Sequence, residues 1–144
     1  MSKSINQGES KMRELTDHRV NPVNDKLSII VLDEPGHGGA NHVYAISGMN
    51  LVRNTAAMNT PDDRPDGEAS IIFQCGPIAE HGVNGITQEA LLAIVADRLR
   101  CFQAGPFSSR ENAIALTHVE TAMLWLHKRT LDRMQRGVEG KSVP

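Results

Sequence analysis

The sequence is poor in aromatic residues and contains almost no cysteine. Aromatic side chains make up 3% of the 144 residues, and the two cysteines, Cys75 and Cys101, form no CxxC pair. This excludes a disulfide framework and favours a reducing compartment. No apolar run approaches the roughly 18 residues of a membrane-spanning helix, and residues 1–25 lack the apolar segment of a secretory signal. A net charge of −2 argues against bulk nucleic-acid binding.

The familiar catalytic and metal-binding motifs are also missing. Six histidines are spread along the chain, but none fits HExxH or a Cys/His finger. The GHGG stretch at residues 36–39 lacks the GK[ST] of a phosphate-binding loop, and no GxSxG is present. We therefore interpret residues 36–39 as a hairpin loop. The sequence predicts no metal site, no cofactor and no enzyme.

The first half of the chain has the pattern of a small β domain. Residues 1–25 are polar, and we expect a flexible N-terminal arm there. Apolar or alternating stretches at residues 27–32, 42–46 and 68–75 predict three short strands. Loops connect them, which favours an antiparallel sheet within a β domain at residues 26–83.

The second half predicts a long antiparallel helical hairpin at residues 84–140. Apolar residues recur at spacings of three and four over residues 87–104 and again over 109–136. Thr87 is a suitable N-cap for the first helix. Ser108 and Glu111 have the spacing of a capping box for the second. Gly137 fits a glycine C-cap. The fold class is therefore α+β, and the small core favours an oligomer.

Two groups of residues are candidates for binding an anion. Arg129 and Arg133 lie four apart on one helical face, although cations are common at helix C-termini. At the turn of the hairpin, Arg110 lies at a helix N-terminus, Asn112 can contact a base or ribose, and Phe102 offers a stacking face. Each of these residues alone is as well explained by capping, packing or solvation.

Residues 76–140 contain the strings GPIAEHGVNGITQEALLAIVADRL, FQAGPFSSRENAIALTHVETAMLWLHKRT and RGVEG. They resemble the helical hairpin domain of phage immune-evasion sponges, which sequester the cyclic nucleotide messengers of the bacterial CBASS and Thoeris defences. The β segment before the hairpin is similar in layout to the first Thoeris anti-defence type.

The resemblance implies a homo-oligomer, commonly a hexamer, that binds its ligand in the host cytoplasm without cleaving it. It places Phe102, Asn112 and Arg129 at a site for glycocyclic ADP-ribose. Arg110 and Arg133 are candidates for separate pockets, formed between subunits, for cyclic di- or trinucleotides. Which messenger binds is left open.

Two other functions are compatible with the residues themselves. The hairpin could serve only to oligomerise a phage accessory protein, in which case no nucleotide would bind. An enzyme acting on a nucleotide is the third hypothesis, and it would release an altered product.

Overall fold

The computed structural model describes residues 12–57 and 67–144, which belong to two compact units divided between Ile72 and Phe73. The first unit holds a four-stranded antiparallel sheet in the order β1-β2-β3-β4. Its strands are Arg13–Leu15, Ser28–Val31, Val43–Ser47 and Glu68–Ile72, and helix α1, Pro22–Lys26, lies between β1 and β2. The predicted antiparallel sheet is confirmed.

Strand β1 lies inside the segment that the sequence assigned to a flexible arm. It pairs with β2 through Arg13 opposite Val31 and Leu15 opposite Ile29. A strand of three residues with a single large apolar side chain produces no visible alternation, so sequence pattern alone could not reveal it. Residues 1–11 of the predicted arm lie outside the described residues.

The register of the strands groups several large side chains on one face of the sheet. Ile29 lies opposite Ile46, and Val31 lies opposite Tyr44. Tyr44 in turn lies opposite Ile71 on β4. Because side chains alternate between the faces of a strand, these residues share one face. Val31 is the most buried of them, with 1% of its surface exposed.

The loop between β2 and β3 is closed by a carboxylate. Asp33 accepts hydrogen bonds from the backbone N–H groups of His42 and Val43, at 2.8 and 3.1 Å. Partial burial opposes ionisation of this carboxyl, but those two bonds and the nearby His42 ring outweigh it, so the pKa of Asp33 lies below its ordinary value. Gly38, with φ of 76°, turns the chain. The predicted hairpin loop is confirmed.

The second unit is helical. It contains the short helix α2, Ile78–His81, followed by α3, Gln88–Ala104, and α4, Arg110–Gln135. Helices α3 and α4 pack against each other as the predicted hairpin. Thr87 caps α3 by accepting a hydrogen bond from the N–H of Ala90 at 3.2 Å. No helix within residues 12–57 and 67–144 is long and apolar enough to cross a membrane.

The N-cap of α4 differs from the prediction by one residue. Ser109, in an extended conformation, accepts a hydrogen bond from the N–H of Asn112 at 3.0 Å. Its own N–H donates to the side chain of Gln103 at 3.0 Å. Glu111 is therefore only two residues beyond the cap, and the predicted capping box from Ser108 is wrong. Two adjacent serines are equivalent in sequence, and the contact with Gln103 distinguishes them.

The end of α4 follows the predicted glycine stop. Gly137 has φ of 72°, and its N–H donates to the carbonyl of Met134 at 3.0 Å. The N–H of Val138 donates to the carbonyl of Arg133, also at 3.0 Å. These two bonds form a Schellman motif, which reverses the chain direction after the helix.

A single copy of the chain buries few large apolar side chains. Among the described residues, Val31 and Ala96 are the buried hydrophobic ones. Val95 and Phe102, which belong to the predicted apolar stripe of α3, remain 44% and 39% exposed. On α4, Leu124 and Leu131 are more than half exposed. The hairpin therefore presents apolar surface that its own chain does not cover.

Candidate functional site

A surface cleft of about 300 Å³ lies along the C-terminal half of α4. Its walls are formed by one aromatic ring, four cationic side chains, one carboxylate and a residue of the C-terminal segment: Trp125, Lys128, Arg129, Arg133, Arg136, Asp132 and Pro144. The helical residues are spaced by three, four or multiples of these, so one stripe of α4 carries them. Because cations outnumber carboxylates, the cleft is suited to an anion.

The cationic side chains of the cleft differ in how they are already used. Lys128 pairs with Asp132 at 2.6 Å. Arg136 donates to the backbone oxygen of Pro144 at 3.0 Å. Arg129 is exposed and makes no hydrogen bond or ion pair with any residue that the structure describes. Its guanidinium is therefore available to bind a phosphate through two N–H groups.

Arg133 has a different environment from Arg129, although both lie on the same helix. It is only 7% exposed. Its guanidinium donates to the carboxylate of Glu139 at 3.0 Å and to backbone carbonyls of Val138, Lys141 and Val143. The predicted pair of Arg129 and Arg133 thus lines one cleft, but Arg133 already uses four of its five N–H groups, whereas Arg129 uses none on the residues that the structure describes.

The other predicted residues lie together at the turn of the hairpin. The side chain of Asn112 is 3.5 Å from the carbonyl oxygen of Phe107, and Arg110 is the exposed first residue of α4. The guanidinium of Arg98 lies over the ring of Phe102, 5.5 Å from its centre. Phe107 is 74% exposed. The ring of Phe107 is therefore open to a ligand or a second copy, whereas Arg98 already covers part of the ring of Phe102.

The structure does not bring these two groups together within one chain. Asn112 and Arg129 are separated by about 25 Å along α4, given the rise per residue of an α-helix. Phe102 lies near the turn, with Asn112. One small ligand cannot contact Asn112 and Arg129 of the same chain.

The sequence pattern identified Arg129 and Arg133 of the cleft but not its aromatic wall. Trp125 is the single tryptophan of the chain and is 67% exposed. Its spacing from Lys128, Arg129 and Asp132 was visible in the sequence as a helical stripe. Pro144 could not be found in this way, because it reaches the cleft only through the reversal of the chain at Gly137.

The remaining side chains of catalytic type are scattered. Within residues 12–57 and 67–144, no group of three His, Cys, Asp or Glu side chains is placed to hold a metal ion. Cys75 and Cys101 are both exposed free thiols. Among the described residues, His81 Nε2 lies 3.7 Å from Glu80 Oε2 on the exposed helix α2. His42 Nδ1 lies 3.8 Å from Asp33 Oδ2, and that carboxylate already accepts two backbone N–H groups.

The amino-acid sequence of the hairpin is similar to that of known proteins. The model of the Acb2/Tad1 hairpin domain matches residues 66–131. The protein "Thoeris anti-defense 1" of Bacillus phage SBSphiJ7 is 54% identical over 72 residues, which are 50% of this chain and 51% of that protein. The chain thus matches about half the length of this curated relative. Residues 66–131 are thus similar to the Acb2/Tad1 hairpin domain, and about half of the chain is similar to a phage protein named for Thoeris anti-defence.

Proposed function

We propose that this protein is a phage anti-defence sponge, which binds cyclic nucleotide messengers of the host and sequesters them without cleavage. The ligands would be glycocyclic ADP-ribose, cyclic di- or trinucleotides, or more than one of these. Binding in the host cytoplasm would block Thoeris or CBASS signalling. The observation that carries the proposal is the cleft on α4, where the unpaired Arg129 lies beside the exposed ring of Trp125 on a hairpin that is similar to the Acb2/Tad1 hairpin domain.

The cleft has the chemistry that a cyclic nucleotide requires. The guanidinium of Arg129 can bind two phosphate oxygens at once, and such charge-assisted bonds are stronger than neutral ones. The ring of Trp125 offers a stacking surface for a base, a contact that tolerates any base sequence. Neither interaction requires a nucleophile or a general base. Sequestration demands tight binding, since a nanomolar Kd corresponds to about −12 kcal/mol.

We further propose that the protein acts as a homo-oligomer, in the form of a hexamer. Exposed apolar side chains on both helices of the hairpin, among them Ile94, Leu124 and Leu131, support an assembly that buries them. Two hairpins packed antiparallel would also place Phe102 and Asn112 of one copy near Arg129 of another. A ligand held between copies is desolvated on several sides, which strengthens its contacts with arginine.

The test is to incubate the purified protein with cyclic dinucleotides, cyclic trinucleotides and cyclic ADP-ribose isomers, remove free ligand, denature the protein and analyse the supernatant. Intact messenger recovered only after denaturation is the expected result. Arg129→Ala should reduce the amount retained. Arg100→Ala is the matched control, because Arg100 is an exposed arginine on the same hairpin that pairs with Glu120 at 3.0 Å.

The other outcomes identify the competing functions. An altered product would make the protein an enzyme. If the oligomer retains no member of the panel, the hairpin serves as an oligomerisation module, which its exposed apolar surface would equally support. In either case the sponge mechanism is rejected.

A further inference from the structure

The segment after α4, residues 138–144, folds back along the helix that precedes it. The positive φ of Gly137 starts this reversal, and its two Schellman hydrogen bonds fix it. The N–H of Lys141 then donates to the carbonyl of Val138 at 3.0 Å. We call residues 138–144 the C-terminal strap. It brings Pro144 to the cleft that also contains Trp125 and Arg129.

Arg133 holds this strap in place. Its Nη2 donates to the carbonyls of Val138 and Lys141, at 2.9 and 3.0 Å, and its Nη1 donates to the carbonyl of Val143. Its Nε donates to the carboxylate of Glu139 at 3.0 Å. The guanidinium therefore uses four of its five N–H groups on the strap, and the strap in turn buries Arg133.

We propose that Arg133 is a positioning residue for ligand binding, an inference that rests on the proposed function. It holds the C-terminal strap against α4, so that the strap forms one wall of the anion-binding cleft. The ligand is contacted by Trp125 and Arg129, whereas the donors of Arg133 remain on the carbonyls of the strap. The strap also positions the side chain of Arg136, which donates a hydrogen bond to the backbone oxygen of Pro144 at 3.0 Å.

The geometry explains why this position requires arginine. A planar guanidinium reaches acceptors that lie in several directions around its edge. A lysine ammonium has three donors on a single atom, so it cannot reach the carbonyls of Val138, Lys141 and Val143 together with Glu139. Without these bonds the carbonyls are better solvated by water, and the strap detaches. The cleft then loses a wall and gains water around Arg129, which weakens the contact between Arg129 and an anion.

The experiment uses full-length variants that detach the strap in two independent ways. Arg133→Gln removes the guanidinium. Gly137→Val places a β-branched residue at positive φ and so opposes the reversal, while no atom of Gly137 lines the cleft. Arg100→Gln makes the same substitution at an exposed arginine of the same hairpin and is the control for loss of one positive charge. Each variant is titrated with the cyclic nucleotide panel, and the fluorescence of Trp125 reports both the ligand and the state of the cleft.

Both strap variants are expected to bind at least tenfold more weakly, mainly through faster dissociation, with helix content unchanged by circular dichroism. The double variant Arg133→Gln, Gly137→Val should be no weaker than either single one, because both changes detach the same strap. Arg133→Lys should recover only part of the affinity. A solely structural role for Arg133 would lower the melting temperature without changing the Kd of the folded protein.

The outcomes separate this inference from the proposed function. If the wild-type protein binds a member of the panel and both strap variants bind it equally well, the role of Arg133 is overturned and the sponge stands. A double variant with fully additive losses would also overturn it. If the wild-type protein binds no member of the panel, both the sponge and the positioning role fall.

Discussion

Asn112 and Arg129 lie on the same helix, α4, but about 25 Å apart along its axis. Asn112 is in the first turn of the helix, where its N–H is bound by the hydroxyl of Ser109. Arg129 lies in the cleft near the other end. If both residues contact one ligand, they must come from different copies of the chain. An experiment that shows whether Asn112 and Arg129 share a ligand therefore also tests whether copies of the chain assemble around it.

Mixing two inactive variants is expected to restore binding. We would co-express Asn112→Ala with Arg129→Ala and measure how much ligand the mixture retains. In a two-fold interface with random exchange, half of the pairs are mixed, and each mixed pair has one intact site. The mixture should therefore retain about a quarter of the wild-type capacity. A mixture of separately purified variants that cannot exchange subunits is the control. No recovery in the co-expressed sample would assign the two residues to separate sites.

The N-cap of α4 makes a prediction about stability with a control in the adjacent residue. Ser109→Ala removes the hydroxyl that binds the N–H of Asn112, and loss of such a cap costs about 1 kcal/mol. For a domain of this size the melting temperature should fall by roughly 4–8 °C. Ser108→Ala changes the same residue type one position earlier and should stay within about 0.5 kcal/mol of wild type. If Ser108→Ala lowered the melting temperature more than Ser109→Ala, the N-cap would instead be Ser108.

The hairpin could be predicted from sequence because its signals are local. Thr87 caps the first helix, Gly105 and Pro106 separate the two helices, and Gly137 ends the second, and each acts within a few residues of its own position. The β strands at residues 28–31, 43–47 and 68–72 were also visible, as apolar or alternating runs.

What the sequence could not reveal depends on contacts between distant or equivalent residues. Strand β1 is defined only by its pairing with β2. The choice of Ser109 over Ser108 depends on Gln103 in the preceding helix. The burial of Arg133 depends on the path of the C-terminal strap. Its spacing from Arg129 suggested two ligand contacts, but of these two guanidinium groups only that of Arg129 is free of bonds to the described residues. Helical spacing identifies neighbours on a face, but it does not identify which of them are already bonded.

The loop between β2 and β3 should make the first unit sensitive to acid. The pKa of Asp33 is lowered in the folded chain from its ordinary value of 3.8. The stabilisation is therefore fully present above pH 3.8 and is lost as the pH falls through the lower, folded-state value. Asp33→Asn should destabilise the sheet at neutral pH, and the difference from wild type should shrink as the pH falls below 4. Chemical denaturation at several pH values measures this, and a difference that is constant with pH would contradict it.

The segment that leads into the hairpin makes the last prediction, at Gly85. This segment is closed by a bridge between Phe73 and Ile86 and by the side chain of Asn84, which exchanges two hydrogen bonds with the backbone of Cys75 at 2.8 and 2.9 Å. A Cβ at Gly85 would lie 2.3 Å from the carbonyl carbon of Phe73 and 2.5 Å from the N atom of Gln74. Both neighbours are backbone atoms, so no side chain can rotate away.

Gly85→Ala should therefore destabilise the second unit by about 1–3 kcal/mol, the cost of forcing extra volume into a close-packed site. Gly105→Ala is the control, because a Cβ there meets its nearest atom, the carbonyl oxygen of Cys101, at 3.5 Å, an ordinary contact. We expect the control to unfold within about 0.5 kcal/mol of wild type. Urea unfolding followed by circular dichroism compares the two. If the two variants were equally stable, the backbone at residues 73–86 could shift to make room for the added methyl group. The hydrogen bonds of Asn84 would then not keep this backbone in place.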